Sequence, residues 1–228
     1  MNINRVLHRQ ILSGIEYIPL FPKATGKSEA LGSGNTFHSV KLMTNIIDKY
    51  SFQAKSIAKL LQQNSVSETC ERIYSWLYNH IQYKADGINQ LLRTPSNSFE
   101  NRSIGIDCKS YSIFASCILK ELGIKHFIRQ IKQPTHNPSA FTHVYVVVPM
   151  NQETGDLQNG YFVIDATTST NREPIYTMKD DTAVKLPHFG LNAVAKQLKK
   201  SVAKDNTNRN ILVSALGFIT GVFLFQKK

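Results

Sequence analysis

The order of three segments in the second half of the chain constrains its fold more than any other sequence feature. Residues 108–122 carry apolar side chains at helical spacing, namely Tyr111, Phe114, Ile118 and Leu122. Residues 143–148 and 161–165 are apolar and rich in β-branched side chains, and a long turn-rich stretch separates them. This order predicts a helix followed by two antiparallel strands. We therefore expect an α+β fold in which helices pack on an antiparallel sheet.

A cysteine stands at the start of the predicted helix. Asp107 or Ser110 can cap this start, and Gly123 suits the left-handed residue that ends many helices. A sulfur atom here faces unpaired backbone N–H groups and the positive end of the helix dipole, which favour the thiolate form. The same N–H groups can bind an oxyanion. Cys108 is therefore a candidate nucleophile, although a cysteine at a helix start, taken alone, is more often an inert packed thiol.

A histidine and an aspartate occupy matching ends of the two predicted strands. His143 begins the first strand and Asp165 ends the second, so antiparallel pairing brings them to one edge of the sheet. A thiolate nucleophile needs a base within hydrogen-bonding reach, and a carboxylate fixes the tautomer of an imidazole base. Alone, His143 is explained by a strand end and Asp165 by a turn. With Cys108, in this order, they predict a catalytic triad.

These segments resemble the transglutaminase-like superfamily of papain-related cysteine enzymes over about residues 66–170. The matching features are an amphipathic helix with Trp76, the Tyr83 that follows it, the Gly-x-Asp-Cys segment that opens a helix ending in Leu122-Gly123-Ile124, the Thr142-His143-Val144 strand and the Ile164-Asp165-Ala166-Thr167 strand. The order of cysteine, histidine and aspartate is also that of the superfamily. The resemblance implies an α+β papain-like core and a cysteine-dependent activity.

The resemblance also implies a role for each residue. Cys108 corresponds to the nucleophile, His143 to the general base and then acid, and Asp165 to the carboxylate that orients the histidine. Such enzymes attack an amide carbonyl, expel an amine and pass the acyl group to water or to another amine. In the papain-like arrangement, a residue upstream of the cysteine often donates a second hydrogen bond to the oxyanion; the candidates are the Asn97 amide, Tyr83 and Arg93. The superfamily also includes members that have lost the triad and only bind.

Cysteine content and charge argue against several classes of function. Three cysteines in 228 residues show no paired spacing, so we predict no disulfide framework and a reducing compartment. Cys70 and Cys117 fall on apolar faces of predicted helices and are assigned to the core. Spacings typical of zinc sites and acidic runs typical of calcium sites are missing, so no cofactor is predicted. The net charge of +11 is spread over the chain without a nucleic-acid-binding motif, so no specific nucleic acid is expected as a partner.

The segment 211–225 is apolar and contains no charge. As a helix it would extend about 22 Å, shorter than the roughly 30 Å hydrocarbon core of a bilayer, but the lysines after it can snorkel. Five basic residues between 196 and 209 can contact anionic lipid head groups. Gly217 and Gly221 form a small-x-x-x-small pattern that allows two such helices to associate. The segment predicts a membrane anchor, with a buried terminal helix as the alternative.

These features divide the chain into four predicted parts. Residues 1–65 form an N-terminal extension with an extended start, a glycine-rich loop and one broken helix or two short ones. Residues 66–190 form the catalytic domain, 191–210 a basic linker and 211–226 the anchoring helix. The predicted core of the domain comprises Ile73, Leu77, Ile81, Phe114, Ile118, Val144, Val146, Val148, Phe162 and Ile164.

The predicted function is a membrane-tethered cysteine enzyme that cleaves or transfers the acyl group of an amide bond in a protein or peptide. The N-terminus lacks the apolar stretch and cleavage site of a secretory signal, which predicts a catalytic domain on the cytoplasmic side of a membrane or inside a virion. The alternative is a non-enzymatic, membrane-associated structural or binding protein that retains the fold, for example a bacteriophage virion component.

Overall fold

The computed structural model describes residues 8–25, 29–30, 36–87, 90–135 and 137–187, and the described residues up to Leu186 form one compact unit. In the described part, the α-helices are α1 (Thr36–Tyr50), α2 (Lys55–Leu61), α3 (Val66–His80), α4 (Pro95–Glu100) and α5 (Cys108–Glu121), with 3₁₀ helices at Ile15–Leu20 and Ser51–Ala54. The strands are β1 (Glu29–Ala30), β2 (Leu91–Leu92), β3 (Phe127–Lys132), β4 (His143–Pro149), β5 (Tyr161–Ile164) and β6 (Met178–Ala183). The predicted linker and anchoring helix lie outside the described residues. None of the described helices is long and apolar enough to cross a bilayer.

Helix α5 lies at the centre of the fold. Residues 109–120 are all buried, so this helix is covered on every side by α1, α2, α3, α4 and the sheet. Its start is capped by Asp107, whose carboxylate accepts a hydrogen bond from the Ser110 N–H at 3.1 Å. After its end, Gly123 takes a left-handed conformation with φ of 69°. The predicted helix beginning at Cys108 is therefore confirmed, with Asp107 rather than Ser110 as its cap.

An antiparallel sheet with the strand order β5-β4-β3-β6 packs against α5. Strands β4 and β5 are the two predicted from the sequence. Strands β3 and β6 carry mixed polar and apolar side chains, so neither stands out as an apolar run. In the register, His143 lies opposite Ile131 and Val146 opposite Ile164.

The two faces of the sheet bury different groups of side chains. The face towards the helices joins the main core, and the predicted core residues are buried there, except for Phe162, which is only half-buried. On the other face, Ile131, Tyr145 and Val147 form a second, smaller cluster. Arg129 is completely buried beside them and is paired with Asp181 and Glu173. The sheet is therefore covered on both sides.

The N-terminal part agrees with the prediction in its helices and differs from it in its first segment. The broken helix is confirmed, since the 3₁₀ turn Ser51–Ala54 separates α1 from α2. Residues 15–20, however, form a 3₁₀ helix and not an extended segment. The Tyr17 N–H donates to the Gly14 carbonyl at 3.1 Å and the Phe21 N–H to the Ile18 carbonyl at 3.2 Å. These short-range hydrogen bonds satisfy backbone groups that an isolated extended segment leaves to water.

The stretch before the cysteine contains a short helix that was not predicted from the sequence. Helix α4 begins after Thr94, whose hydroxyl accepts a hydrogen bond from the Asn97 N–H, and Pro95 occupies the first helical position. Its Phe99 ring stacks on Phe21 at 4.5 Å and on Trp76 at 5.7 Å between centroids. A capping threonine followed by proline was a sequence signal for this helix. Its six residues were too few to show helical periodicity.

Candidate active site

Cys108 is the first residue of α5, and its side chain is half-buried. One turn later, the Ser112 hydroxyl is within hydrogen-bonding distance of two carbonyl oxygens, that of Cys108 at 2.9 Å and that of Val144 at 3.2 Å. Val144 follows His143 in β4. Ser112 therefore holds the helix start bearing the sulfur against the strand that bears the histidine.

His143, at the start of β4, and Asp165, directly after β5, lie side by side at the same end of these paired strands, as predicted. The His143 Nε2 and Asp165 Oδ2 atoms are 2.7 Å apart, with only 12% of the His143 side chain and 1% of the Asp165 side chain exposed. The other carboxylate oxygen of Asp165 accepts hydrogen bonds from the Thr167 hydroxyl at 2.7 Å and from the Thr167 N–H at 3.2 Å. Both carboxylate oxygens therefore have partners, and these hold Oδ2 towards the imidazole.

The environment of this pair favours its charged forms. Burial lowers the pKa of His143, but the charge and hydrogen bond of Asp165, followed by those of Cys108, raise it to about 10. For Asp165, burial raises the pKa, but the interactions with His143 and Thr167 outweigh burial and hold it below its usual value. Asp165 therefore favours the protonated form of His143, whose imidazole lies between this carboxylate and Cys108.

Tyr83 is a further neighbour of Cys108. The pKa of its phenol is raised, first by burial and then by the adjacent cysteine. Its backbone lies beside the segment leading into α5, where the Lys84 N–H donates to the Ile106 carbonyl at 2.9 Å. Of the other candidate oxyanion donors, Arg93 pairs with Asp86 at 3.8 Å and Asn97 lies within α4. Tyr83 is therefore the candidate whose side chain interacts with the sulfur-bearing residue.

A buried ionic cluster beside the helix start was not predicted. The Lys109 ammonium pairs with Asp107, lies 3.6 Å from Asp86 and donates to the Gln90 side chain at 2.7 Å. Burial lowers the pKa of Lys109, and Asp86 opposes that effect. The cluster ties the segment after Tyr83 to the first turn of α5. Asp107 and Lys109, which flank Cys108, were a weak sequence signal for this cluster, but the approach of Asp86 depends on the tertiary fold.

The surroundings of Cys108 differ from those of the other two cysteines. Within the described ranges, no group of three or more histidine, cysteine, aspartate or glutamate side chains can hold a metal ion. The other two cysteines, Cys70 and Cys117, are buried in the core, as predicted. Burial raises the pKa of Cys70 to about 12 and also raises that of Cys117. Cys108 thus differs from both in its partial exposure and in its histidine neighbour.

A model of the transglutaminase-like domain matches residues 52–185, which is more than half of the chain. The chain belongs to the transglutaminase-like domain family. The matched range of this transglutaminase-like domain includes α2 to α5, the four-stranded sheet and the three residues of the site. No curated protein sequence matches the chain.

Among solved structures, the transglutaminase-like domain is similar to LapG of Legionella pneumophila. The EGTA-treated form is 15% identical, with coverage of 57% of this chain and 72% of LapG and a TM-score of 0.39. The calcium-bound form is 14% identical, with coverage of 57% and 74% and a TM-score of 0.39. A candidate protease from Parabacteroides distasonis is 12% identical, with coverage of 60% of this chain and 31% of that protein and the same TM-score. Likenesses of this strength do not transfer an activity.

Proposed function

We propose that this protein is a cysteine-dependent enzyme that cleaves or transfers the acyl group of an amide bond in a protein or peptide. The observation that supports the proposal most is the 2.7 Å contact between His143 and Asp165, with Cys108 interacting with the same imidazole. A partly buried histidine held between a carboxylate and a half-buried cysteine at a helix start is an arrangement for activating a thiol. If the three side chains only stabilised the fold, Asp165 would not need to contact His143 and His143 would not need to contact Cys108.

In the first half of the proposed reaction, the Cys108 thiolate attacks the carbonyl carbon of the substrate amide. A C–S bond forms, and an electron pair of the carbonyl moves onto its oxygen. The His143 imidazolium then gives its proton to the amide nitrogen, the oxygen electron pair re-forms the C=O bond, the C–N bond breaks and the amine leaves. The product of this half is a thioester between the acyl group and Cys108. Asp165 stays ionised and keeps the imidazole oriented.

In the second half, water or a second amine attacks the thioester carbonyl and gives a proton to the neutral His143. The C–S bond breaks and the electron pair returns to the sulfur of Cys108. The enzyme regains its thiolate and imidazolium, and the acyl group leaves as an acid or as a new amide. The choice between water and amine sets whether the enzyme is a hydrolase or a transferase.

The oxyanion formed in both halves has two candidate hydrogen-bond donors in the proposed site. The backbone N–H groups in the first turn of α5, including that of Cys108, have no intrahelical carbonyl to accept them. The phenol of Tyr83 is the second candidate, because Tyr83 interacts with Cys108 and its raised pKa keeps it a proton donor. We expect Tyr83→Phe to slow acylation and leave the unfolding temperature nearly unchanged.

The proposed enzyme is tethered to a membrane by residues 211–225, with the catalytic domain on the cytoplasmic side or inside a virion. Sequence alone supports this part of the proposal, through the absence of charge in 211–225 and the five basic residues between 196 and 209. Self-association through Gly217 and Gly221 belongs to the same proposal. Co-sedimentation of the full chain with vesicles containing anionic lipid, compared with a chain ending at residue 210, tests the tether.

Acylation by an activated ester tests the chemistry without knowledge of the natural substrate. p-Nitrophenyl acetate should give a burst of p-nitrophenol and an acetyl thioester located on Cys108 by mass spectrometry. His143→Ala should remove the burst, whereas His80→Asn should retain it, because the buried His80 packs on Trp76 and not on the triad. Adding an amine then distinguishes transfer from hydrolysis by the product. The absence of a Cys108-dependent burst would favour a non-enzymatic binding role.

A further inference from the structure

Arg9 lies far from the triad in sequence, yet its guanidinium group reaches the segments that carry the triad. One terminal nitrogen, Nη2, lies within hydrogen-bonding distance of the Ile81 carbonyl at 3.0 Å, the Tyr111 hydroxyl at 2.6 Å and the Ala166 carbonyl at 2.9 Å. The other, Nη1, lies 3.4 Å from the Thr167 carbonyl. These contacts span 72 to 158 positions of the sequence.

Packing and backbone pairing hold Arg9 in this position. Its guanidinium carbon lies 3.8 Å from the centroid of the Tyr78 ring, which is a close cation–π contact. The Gln82 side chain accepts from the Arg9 N–H at 3.3 Å and donates to the Arg9 carbonyl at 2.7 Å. Ile81 and Gln82 directly follow α3. The N-terminal segment is therefore attached by both its backbone and its side chain.

The partners of Arg9 lie on both sides of the candidate site. Tyr111 stands one turn after Cys108 on α5, so a bond to its hydroxyl restrains the helix that carries the sulfur. Ala166 and Thr167 directly follow Asp165, and Thr167 also donates two hydrogen bonds to the Asp165 carboxylate. Arg9 thus joins the nucleophile helix to the segment that aims the carboxylate.

We propose that Arg9 is a positioning residue that sets the approach of the Asp165–His143 pair to Cys108, which makes the N-terminal segment part of the active site. This inference rests on the proposed function. Arginine suits the task because its two terminal nitrogens reach the segment after Asp165 from two positions while the guanidinium plane lies over the Tyr78 ring, and a lysine ammonium has neither the second nitrogen nor the plane. The His143 imidazole is oriented by Asp165, so a displaced carboxylate reduces the fraction of activated thiolate.

The experiment compares three variants of the full chain with the wild type by the rate of Cys108 alkylation with iodoacetamide against pH. Arg9→Ala removes the fork, and Arg9→Lys keeps the charge alone. Arg102→Ala is the matched control, because Arg102 also packs on a ring, that of Phe99, and donates to the Ser13 carbonyl at 3.0 Å. It therefore tethers the same N-terminal segment without touching α5 or the residues after Asp165.

If the inference is correct, Arg9→Ala and Arg9→Lys slow alkylation of Cys108 at about pH 6 by at least tenfold. The difference from the wild type disappears towards high pH, because any thiol ionises there. Arg102→Ala keeps the wild-type profile. Equal profiles for Arg9→Ala and wild type, or equal losses for Arg9→Ala and Arg102→Ala, overturn the positioning role. An ordinary thiol profile in the wild type overturns the proposed function instead.

A second variant covers the case in which Arg9→Ala fails to fold. Tyr111→Phe removes one hydroxyl, which accepts from Arg9 at 2.6 Å and donates to the Ile81 carbonyl at 2.5 Å, and it keeps the buried ring. The positioning role then predicts a smaller slowing of at least about threefold at the same pH, with an unfolding temperature near that of the wild type. An unchanged profile in a folded Tyr111→Phe protein contradicts the inference.

Discussion

The Nε2 atom of His143 contacts Asp165 Oδ2 at 2.7 Å, which leaves Nδ1 as the ring nitrogen available to the Cys108 sulfur. The carboxylate that sets this orientation is itself fixed by the two Thr167 hydrogen bonds. An imidazole held by one nitrogen presents its other nitrogen in a single direction. The protonation of Nδ1 therefore depends on the identity of residue 165.

Asp165→Asn tests this dependence. The asparagine amide can donate to Nε2 of His143, which moves the imidazole proton to Nδ1 and removes the base that the thiol needs. We expect the burst with p-nitrophenyl acetate to slow by at least about 100-fold, since a positioned general base contributes on that order. Asp48→Asn is the control, because Asp48 is largely exposed and pairs with Lys120 away from the site. Similar rates for both variants would contradict the role of Asp165.

The three cysteines should differ in reactivity in the folded protein. Cys108 is half-buried, whereas Cys70 and Cys117 are buried and have raised pKa values. Brief treatment with iodoacetamide at neutral pH should label Cys108 alone, and labelling in denaturant should modify all three. Peptide mass spectrometry of the two samples checks this. Labelling of Cys70 or Cys117 as fast as that of Cys108 in the native protein would show that the buried thiols are accessible.

Gly105 should be essential for the loop that leads into α5. Its φ of +105° is unfavourable for other residues, and an added Cβ would lie 2.7 Å from the Lys84 Cβ and 3.1 Å from the Gln82 carbonyl. We expect Gly105→Ala to lower the free energy of unfolding by about 1–3 kcal/mol. Gly87→Ala is the matched control, since nothing lies within 4 Å of a Cβ there. Urea unfolding of both variants tests the difference, and equal stabilities would show that the loop relaxes.

His126 should make the fold less stable in acid. Burial lowers the pKa of His126 from 6.5 to about 4, so between these values the unfolded chain binds a proton more readily than the folded chain. The free energy of unfolding is therefore unaffected by His126 above pH 6.5 and decreases as the pH falls towards 4. The full loss is roughly 3 kcal/mol.

Replacement of this histidine isolates its effect from that of other acid-sensitive groups. His126→Asn keeps a donor for the Ile124 carbonyl, which lies 2.8 Å from the ring Nδ1, and it cannot be protonated. Urea unfolding of wild type and variant at several pH values should show a weaker acid dependence in the variant. Parallel curves would show that His126 does not titrate in this range.

The ion pairs behind the sheet should contribute unequally to stability. Arg129 is fully buried and donates two hydrogen bonds to Asp181, at 2.6 and 2.8 Å, and one to Glu173 at 2.6 Å. Arg129→Ala removes the buried guanidinium that both carboxylates bind and should destabilise the fold by about 3–5 kcal/mol. Lys179 forms a more exposed ion pair with the same Asp181, at 3.9 Å. Lys179→Ala should therefore lower the free energy of unfolding by only about 0–1 kcal/mol. Thermal and urea unfolding would reveal equal losses if burial were unimportant.

Much of the site could be predicted because its signals are local. A cysteine at the start of an apolar helix, and a histidine and an aspartate at matching strand ends, each lie within a few residues of the pattern that reveals them. Antiparallel pairing then requires His143 and Asp165 to share an edge of the sheet. Helical and strand periodicity depend on neighbours in sequence, so the sequence by itself determined the α+β core, the capped start of α5 and the pairing of β4 with β5.

Only the tertiary structure decided which distant side chains complete the site. Arg9 reaches Ala166, and Asp86 approaches Lys109, through contacts between residues far apart in the chain. Strand β6 joins the sheet although its sequence is polar, because it pairs with β3 at an edge. Buried charges are tolerated only when partners from other elements surround them, and their burial therefore depends on the whole packing and not on any local pattern.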